Sequence, residues 1–423
     1  MRILALLLAV LLVFPASPIR AQEQEILSPA LSLPPLLQEV RRVNPDLLAA
    51  RKRWEAAQAK IPLSKGLPAP KIGVEFEEIP RGTVKLNQAT IMYQLIQMIP
   101  FPGKLSARHQ VAVKEAQVAA MEFKKAEWEV FSMLKSTYYD LFLLERESEL
   151  QQEQAVWLKQ AETVARSRYA GGISSQAELL RAQGEALDAA NEVSVLSHRR
   201  LAMQAHLNHL LNRPGHEPVG SPVPVELMPV PSSPEDLLAQ AKEHQPGLLA
   251  MKYSVERADA ALKLSKRELL PDLETMLELR DPAMGPVGPW DLSLALVLPF
   301  WFWTKQEYGV KVALRDKESM EAAYQAMQNE MARRVHENWH EAMASHEKAK
   351  LYQDALIPQG KQMVEAALAS YQGGKASFME LIDAIRTLNE RRRTYYEHLV
   401  SLEQRIVMLE EAVGIPLRPS HED

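Results

Sequence analysis

The sequence of 423 residues contains no cysteine. This absence excludes disulfide bonds, metal sites built on thiolates, and lipid attachment to an N-terminal cysteine. Because no covalent cross-link is available, stability has to come from side-chain packing or from assembly with other chains. Hydrophobic residues make up 47% of the chain, which is ordinary for a folded protein, so disorder is not expected.

Long hydrophobic runs and basic clusters are also missing. Beyond the first residues, the most apolar segment, residues 290–303, is interrupted by Asp291 and Pro299. A membrane-spanning helix needs about 20 apolar residues, so a membrane-inserted part of this chain would have to consist of β-strands. The formal net charge is −5, and no Lys/Arg cluster is present that could follow a phosphate backbone. We therefore expect no nucleic-acid partner.

Catalytic motifs are absent as well. The sequence contains no nucleophile elbow, phosphate-binding loop, metalloprotease motif or dinucleotide fingerprint. Two histidine pairs have a spacing at which two imidazoles could share a zinc ion, but each pair would need a third ligand from elsewhere. These pairs are His336 with His340 and His206 with His209. The sequence predicts no enzyme, no cofactor and no metal site.

The N-terminal residues predict export. Arg2 is followed by an apolar run, residues 3–14, and then by small residues with a plausible cleavage point after Ala21. This arrangement is typical of a signal peptide, here over residues 1–21. A retained membrane anchor is the alternative, but a run of about 12 apolar residues is shorter than the roughly 20 that a spanning helix needs.

The rest of the chain is predicted to contain one structural unit twice. The first repeat covers residues 22–214 and the second covers residues 234–416, with a Pro/Ser-rich linker at 215–233 and a C-terminal tail at 417–423. Landmarks recur in the same order at an offset of about 200 residues. They are Asn44-Pro45 and Gln245-Pro246, Pro100-Phe101 and Pro299-Phe300, the two Tyr-x-Gly-Gly turns at 169–172 and 371–374, and Pro214 and Pro416.

Each repeat has the pattern of a helix, a β-hairpin and a long helical hairpin. The β-hairpins are predicted at residues 71–99 and 272–299, and the helical hairpins at residues 104–212 and 304–413.

The helices of the first repeat are predicted over residues 33–63, 104–169 and 174–212. The longest has about 66 residues and would reach roughly 100 Å, far beyond the diameter of a compact domain. In the second repeat, apolar residues over 381–413 recur at alternating steps of four and three, which predicts coiled-coil packing. We therefore expect one extended antiparallel helical layer.

Period-two alternation gives the predicted strands one apolar face and one acidic face. The candidate carboxylates of the acidic face are Glu75, Glu77, Asp272, Glu274 and Glu278. This pattern is typical of a transmembrane β-barrel, apolar toward lipid and polar toward a lumen; a sheet covering a soluble core is the alternative. Four strands are too few to close around a pore, so a barrel would be shared among subunits, and a cyclic trimer would supply twelve strands.

Aromatic residues gather around the last strand and its end. In a barrel they would suit the membrane interface, whereas in a soluble protein they would belong to the core. They are Trp290, Phe300, Trp301, Phe302 and Trp303.

With these features the chain resembles the TolC-like outer membrane efflux protein family over nearly its whole length after residue 21. The resemblance is carried by the two Tyr-x-Gly-Gly turns, the acidic hairpin strands, and the segment from Tyr371 to Ala384 with the heptad helix that ends at Val413. It implies a mainly α fold with β, in a trimeric α/β-barrel channel. Each chain would contribute four strands to a 12-stranded transmembrane β-barrel. A long antiparallel coiled-coil α-helical tunnel would lie below this barrel.

The resemblance also implies surroundings and partners. The protein would lie in the cell outer membrane and extend into the periplasm as a homotrimer. Its partners would be outer-membrane lipid, a periplasmic adaptor (membrane fusion) protein and an inner-membrane RND-type pump.

Residues 99–104, Ile-Pro-Phe-Pro-Gly-Lys, resemble the strand-to-helix junction of the heavy-metal branch of this family, the CzcC/CusC-like proteins. The branch implies an exit duct for heavy-metal cations. The lipid anchor of some relatives in that branch is excluded here, because the chain has no cysteine. A channel for drug efflux or type I protein secretion is an alternative cargo class, and a periplasmic structural coiled-coil protein is the alternative from another functional class.

Within the resemblance, Glu380 and Asp383 match the acidic pair that lines the periplasmic aperture. Three residues apart, they share one helix face, and in a trimer they would form two rings of carboxylates that repel one another and attract cations. The first repeat has Glu178 and Arg181 at the equivalent places, so gating is expected to belong to the second repeat. An ordinary solvated helix face is the alternative.

Glycine pairs follow the long helices of both repeats. We expect Gly171, Gly172, Gly373 and Gly374 to stop these helices with positive φ angles and to contact the adaptor at the helix tips.

Overall fold

The computed structural model describes residues 30–77, 90–280, 289–373 and 375–418. The predicted signal peptide, the turns of both β-hairpins, Gly374 and residues 419–423 lie outside the described residues. Within these limits, the chain consists of long helices and one small antiparallel sheet.

The same order of elements occurs twice. The first set contains α1 (Leu33–Val43), α2 (Pro45–Leu63), β1 (Lys71–Glu77), β2 (Thr90–Ile99), α3 (Lys104–Ala170) and α4 (Gln176–Leu210). The second set contains α5 (Pro234–His244), α6 (Pro246–Arg267), β3 (Asp272–Arg280), β4 (Trp290–Val297), α7 (Gln306–Leu351), a π-helical segment (Tyr352–Leu356), α8 (Ile357–Gln372) and α9 (Phe378–Val413).

The single helix predicted over 33–63 is wrong, because the helix is interrupted at Asn44. The Asn44 side chain accepts hydrogen bonds from the backbone N–H groups of Asp46 (3.0 Å) and Leu47 (3.2 Å), and its amide donates to the Leu210 carbonyl (2.9 Å). Asn44 therefore caps α2, while Pro45 occupies a first-turn position where its missing N–H costs nothing. The second repeat is interrupted in the same way at Gln245.

The 67 residues of α3 correspond to a length of about 100 Å, as the sequence predicts. Its counterpart in the second repeat is divided by the π-helical segment, which ends two residues before Pro358. Proline removes one helical hydrogen bond, and the Arg391 side chain donates to the carbonyl of Leu356 at 2.9 Å beside this irregularity. Among the described residues, no helix is both long enough and apolar enough to cross a membrane.

The coiled-coil seam predicted in α9 is confirmed. Its C-terminal heptad positions are at most 1% exposed, namely Leu399, Leu402, Ile406, Leu409 and Val413. These side chains pack against α3 on one side and against α5 and α7 on the other. Near the helix tips, small residues such as Ala165 and Ala182 let neighbouring helices approach closely around Ile382.

The sheet has the strand order β1-β2-β3-β4, and every pair is antiparallel. Its register places Ile72, Leu95, Leu277 and Leu292 in one row across the four strands. This row belongs to an apolar face that the chain leaves uncovered, with Ile72 82% exposed and Leu292 59% exposed. Within the described residues, β1 and β4 each have a strand on one side only, so both edges of the sheet are open.

Candidate functional site

The opposite face of the sheet carries most of its polar side chains, interspersed with apolar ones. One row across the strands contains Gly73, Gln94, Glu278 and Asp291. The Gln94 amide donates to the carboxylates of Glu75 and Glu278, the latter at 2.8 Å. One neutral side chain therefore bridges two negative charges, which fixes their positions without neutralising them.

Two further predicted carboxylates, Glu77 and Glu274, share this face, and neither has an ion pair among the described residues. Arg280 forms an ion pair with Asp291 at 3.2 Å. The positive charge of Arg280 is therefore paired with Asp291 and not with one of the predicted glutamates.

Asp272 differs from the other predicted lumen residues. Its carboxylate forms an ion pair with Lys104 at 2.7 Å and accepts a hydrogen bond from the Phe101 backbone N–H at 2.8 Å. The Lys104 ammonium also donates to the Leu270 carbonyl, and its side chain is only 5% exposed. Asp272 therefore joins the start of β3 to the start of α3 and contributes no free negative charge.

The glycine turns at the helix tips follow the prediction only in part. Gly172 has φ +71°, the left-handed conformation that ends a helix. The prediction of a positive φ is wrong for Gly171 and Gly373, whose φ angles are −82° and −75°. Both lie in the last helical turn, because their N–H groups still donate to carbonyls four residues earlier at 3.0 Å. Gly374 lies outside the described residues.

Glu380 and Asp383 are exposed at the start of α9. The Ser377 hydroxyl accepts a hydrogen bond from the Glu380 backbone N–H (3.2 Å), and Ser175 caps α4 in the same way at Glu178 (3.3 Å). An acidic residue in the first turn also interacts favourably with the helix dipole. Glu380 thus has a local structural role that its equivalent Glu178 shares, whereas Asp383 has no such role and differs in charge from Arg181.

The tips of the two repeats are connected by residues that the sequence did not reveal. The Arg168 guanidinium, near the end of α3, lies 4.9 Å from the ring centre of Tyr371, near the end of α8. Tyr371 is 6% exposed and contacts Phe378 of α9 edge to face. The second connection is an ion pair between Arg386 and Glu185. The repeated Tyr-Gly-Gly pattern could have indicated Tyr371, but no local signal points to its partner.

A buried charged network ties residues 417 and 418 to α9. Arg418 forms an ion pair with Glu403 at 2.7 Å, and Glu410 forms one with Lys135 of α3 at 2.5 Å. Burial raises the pKa of Glu403 above its ordinary value, while Arg418 acts in the opposite direction. Burial also raises the pKa of the neighbouring Tyr139, whose hydroxyl donates to Glu403 at 3.3 Å. Residues 417 and 418, predicted as part of a tail, are thus fixed in place.

Side chains of the types that can bind a metal ion are scattered across the described residues. No group of three or more potential ligands occurs in the part of the chain that the structure describes. The histidine pairs His336/His340 and His206/His209 therefore gain no third ligand there.

Both halves of the chain match the same family model, that of the outer membrane efflux proteins, over residues 36–213 and 237–415. The chain is also 20% identical, over 371 residues, to the cobalt-zinc-cadmium resistance protein CzcC of Cupriavidus metallidurans, covering 88% of this chain and 87% of that protein.

Solved structures share the fold. The outer membrane protein VceC of Vibrio cholerae matches with a TM-score of 0.77 at 16% identity, covering 91% of this chain and 97% of VceC. CusC, for which transmembrane channel formation is described, also matches with a TM-score of 0.77, at 15% identity, covering 92% of this chain and 93% of CusC. The family model accounts for most of both repeats, and the chain therefore belongs to the outer membrane efflux protein family.

Proposed function

We propose that three copies of this chain form an exit duct through the outer membrane. Their sheets close edge to edge into a 12-stranded barrel, and their helices continue it as a tunnel into the periplasm. The duct conducts passively, without catalysis, and a periplasmic adaptor and an inner-membrane RND-type pump supply the cargo and the driving force.

The open, amphipathic sheet carries this proposal. Its apolar face is exposed, including Ile72, Leu294 and Leu296 at 64–82%, and a face of this kind normally marks an interaction surface. Its two open edges present unpaired backbone groups, which closure between subunits would satisfy. Lipid would cover the apolar face, and the polar face with Glu75 and Glu278 would line the lumen.

Heavy-metal cations are the proposed cargo. The similarity to a cobalt-zinc-cadmium resistance protein supports this class, and so does the negative charge of Glu77, Glu274 and the two glutamates bridged by Gln94, because carboxylates lining a pore favour cations. Asp272 is not included, since Lys104 neutralises it.

The periplasmic end is the proposed gate. Glu380 and Asp383 of three chains would form two acidic rings at the aperture, and the tips around Gly171, Gly172, Gly373 and Gly374 would receive the adaptor. Exposure of both acidic side chains in the single chain supports this assignment, because they are free to face an axis shared with other copies.

Deletion of the gene tests cargo and location together. The deletion strain should lose tolerance to cobalt, zinc or cadmium salts while keeping its tolerance to dyes and antibiotics, and the protein should fractionate with the outer membrane. Loss of drug tolerance or of protein secretion alone would assign the duct to another cargo. Recovery of a soluble monomer from the periplasm would contradict the channel itself and favour a structural coiled-coil protein.

The gate is tested by Glu380→Gln with Asp383→Asn in channels reconstituted in planar bilayers. Loss of repulsion and of the cation attraction at the aperture should change the open probability and reduce the preference for cations. Glu178→Gln is the matched control, because it changes a carboxylate with the same helix-capping position in the other repeat. An equal effect of both changes, or no effect of the double variant, would contradict the proposed gate.

A further inference from the structure

The segment from Phe300 to Trp303, which we call the aromatic segment, follows β4 directly. Its side chains are 67%, 63%, 51% and 45% exposed in chain order. Neighbouring rings contact one another edge to face, with centroids 5.0–6.1 Å apart. Four large aromatic side chains therefore form a cluster on the surface instead of joining a core.

The aromatic segment continues the apolar face of the sheet. Along β4 and just beyond it, the alternate residues Leu292, Leu294, Leu296 and Leu298 are 59–67% exposed, and the aromatic segment begins two residues later. Leu269 and Leu270, which precede β3 at the same end of the sheet, are also more than a third exposed. The apolar surface thus ends in aromatic rings at the level where strands give way to helices.

Basic side chains surround this end of the sheet. Lys305 follows the aromatic segment, and Lys266 and Arg267 end α6 just before β3; all three are exposed, and none has an ion pair among the described residues. Lys311 differs, because its ammonium is bound to Glu307 at 2.9 Å and lies over the Tyr308 ring.

The first repeat lacks the corresponding surface. At the equivalent junction it has one aromatic residue, Phe101, which is 36% exposed. Gly103 then turns the chain into α3 with φ +93°, and a side chain there would collide with the Arg267 guanidinium. The following basic residue, Lys104, is buried in its ion pair with Asp272. Among the described residues, the exposed combination of aromatic rings and basic side chains without an ion pair belongs to the second repeat alone.

We propose that the basic side chains adjoining the aromatic segment select anionic phospholipid headgroups in the periplasmic leaflet of the outer membrane, where the aromatic segment anchors the chain. Aromatic rings favour the boundary between acyl chains and headgroups, and basic side chains beside that boundary attract anionic lipids. The inference rests on the proposed membrane-inserted trimer, in which each chain would supply one anchor. A neighbouring chain is the competing occupant, because β4 is an edge strand.

Tryptophan fluorescence tests the position of the anchor. The full-length protein is reconstituted in phosphatidylcholine vesicles whose acyl chains carry bromine either near the headgroup or near the terminal methyl. A double variant, Trp301→Phe with Trp303→Phe, keeps the aromatic character of the segment. Subtracting its fluorescence from that of wild type gives a difference signal that comes from these two indoles. We expect stronger quenching of this difference signal by the bromine near the headgroup than by the deep bromine.

Trp157→Phe is the matched control. Trp157 is 46% exposed, but it lies about 80 Å along α3 from the start of that helix, so its difference signal should not respond to either lipid. If the difference signal from Trp301 and Trp303 is also not quenched by either brominated lipid, the proposal is overturned.

Lipid charge is tested with trace amounts of brominated phosphatidylglycerol or brominated phosphatidylcholine in the same vesicles. Brominated phosphatidylglycerol should quench the tryptophan fluorescence of wild type more efficiently than brominated phosphatidylcholine does. Lys305→Gln should reduce the local enrichment of the anionic lipid by about fivefold, the factor that corresponds to roughly 1 kcal/mol per basic side chain. Lys311→Gln changes the net charge equally but removes a cation already bound to Glu307, so its effect should be smaller. Equal effects of the two changes would contradict selection by Lys305.

The oligomeric state separates this inference from the proposed function. A detergent-solubilised variant with Trp301→Ser and Trp303→Ser should remain a trimer; dissociation would show that the rings cover a neighbouring chain and would overturn the anchor. If wild type itself neither assembles nor conducts, the proposed duct fails. If wild type assembles and conducts without quenching at the aromatic segment, only the anchor fails.

Discussion

Replacing Arg418 by Met should release residues 417 and 418 from α9. The Arg418 guanidinium donates to both carboxylate oxygens of Glu403, at 2.7 and 3.3 Å, and to the carbonyl of Pro229 in the linker at 2.8 Å. Glu403 is 1% exposed. Without Arg418, the Glu403 carboxylate keeps only one donor among the described residues, the Tyr139 hydroxyl at 3.3 Å.

A buried charge that loses its partner typically costs about 3–5 kcal/mol. Opening of the C-terminal segment would relieve this cost by admitting water to Glu403, so the free energy of local opening should fall by up to that amount. The Leu417 amide reports the opening, because its N–H donates to Glu410 at 2.9 Å. Its hydrogen exchange should accelerate roughly a hundredfold to several thousandfold.

The effect should depend on pH. Because burial raises the pKa of Glu403 in the folded state, folding favours the protonated form, and stability falls as the pH rises from the ordinary carboxyl value through the raised one. Arg418 lowers this pKa, so its loss raises the pKa of Glu403 further. The pH range over which stability falls therefore extends to higher pH. The loss of stability caused by Arg418→Met should therefore be larger at about pH 8 than at about pH 5.

A second substitution provides the control. Glu403→Gln in the Arg418→Met background removes the unpaired charge and should restore much of the protection at Leu417, with little dependence on pH. The reasoning would be refuted if the Leu417 amide of Arg418→Met exchanges within about threefold of the wild-type rate at both pH values.

Further predictions concern the helix tips. Gly172→Ala should lower stability by roughly 1 kcal/mol through backbone strain at φ +71°, because no atom lies within 4 Å of the added Cβ. Gly171→Ala, at φ −82°, should be neutral or stabilising; equal thermal midpoints for both variants would contradict the assignment. Tyr371→Phe should leave the midpoint unchanged or raise it, since the buried hydroxyl has no hydrogen-bond partner among the described residues, whereas Tyr371→Ala should cost about 3–5 kcal/mol. A clear loss of stability in Tyr371→Phe would point to a partner for that hydroxyl.

Periodicity and turn residues predicted the main elements of this fold. The Pro-Phe landmarks and the alternation along Trp290–Val297 placed the strands, and the steps of four and three in α9 placed its buried seam. Such patterns are local, and each depends on residues a few positions apart. The sequence predicts one helix over 33–63 because the apolar periodicity continues through Asn44, although Asn44-Pro45 carries the signal for the start of a helix.

The candidate site was less predictable, because its side chains are paired by tertiary contacts. Asp272 alternates like the other acidic strand residues, and its ion pair with Lys104 depends on how two junctions meet. Arg168 and Tyr371 come from different repeats and meet only because the helix tips lie together. Spacing along the chain carries no information about such partners.

Closure of the sheets between chains is tested most directly by an introduced cysteine pair, since the native chain has no cysteine. Gly73 on β1 is changed to Cys together with Ser293→Cys or Ala295→Cys on β4. Within one chain these edge strands are three strand spacings apart, about 14 Å, too far for a disulfide. Oxidation of protein in outer membranes should give a covalent trimer on a denaturing gel, with no larger species. Monomers alone, for both partner positions, would contradict a barrel shared by three chains.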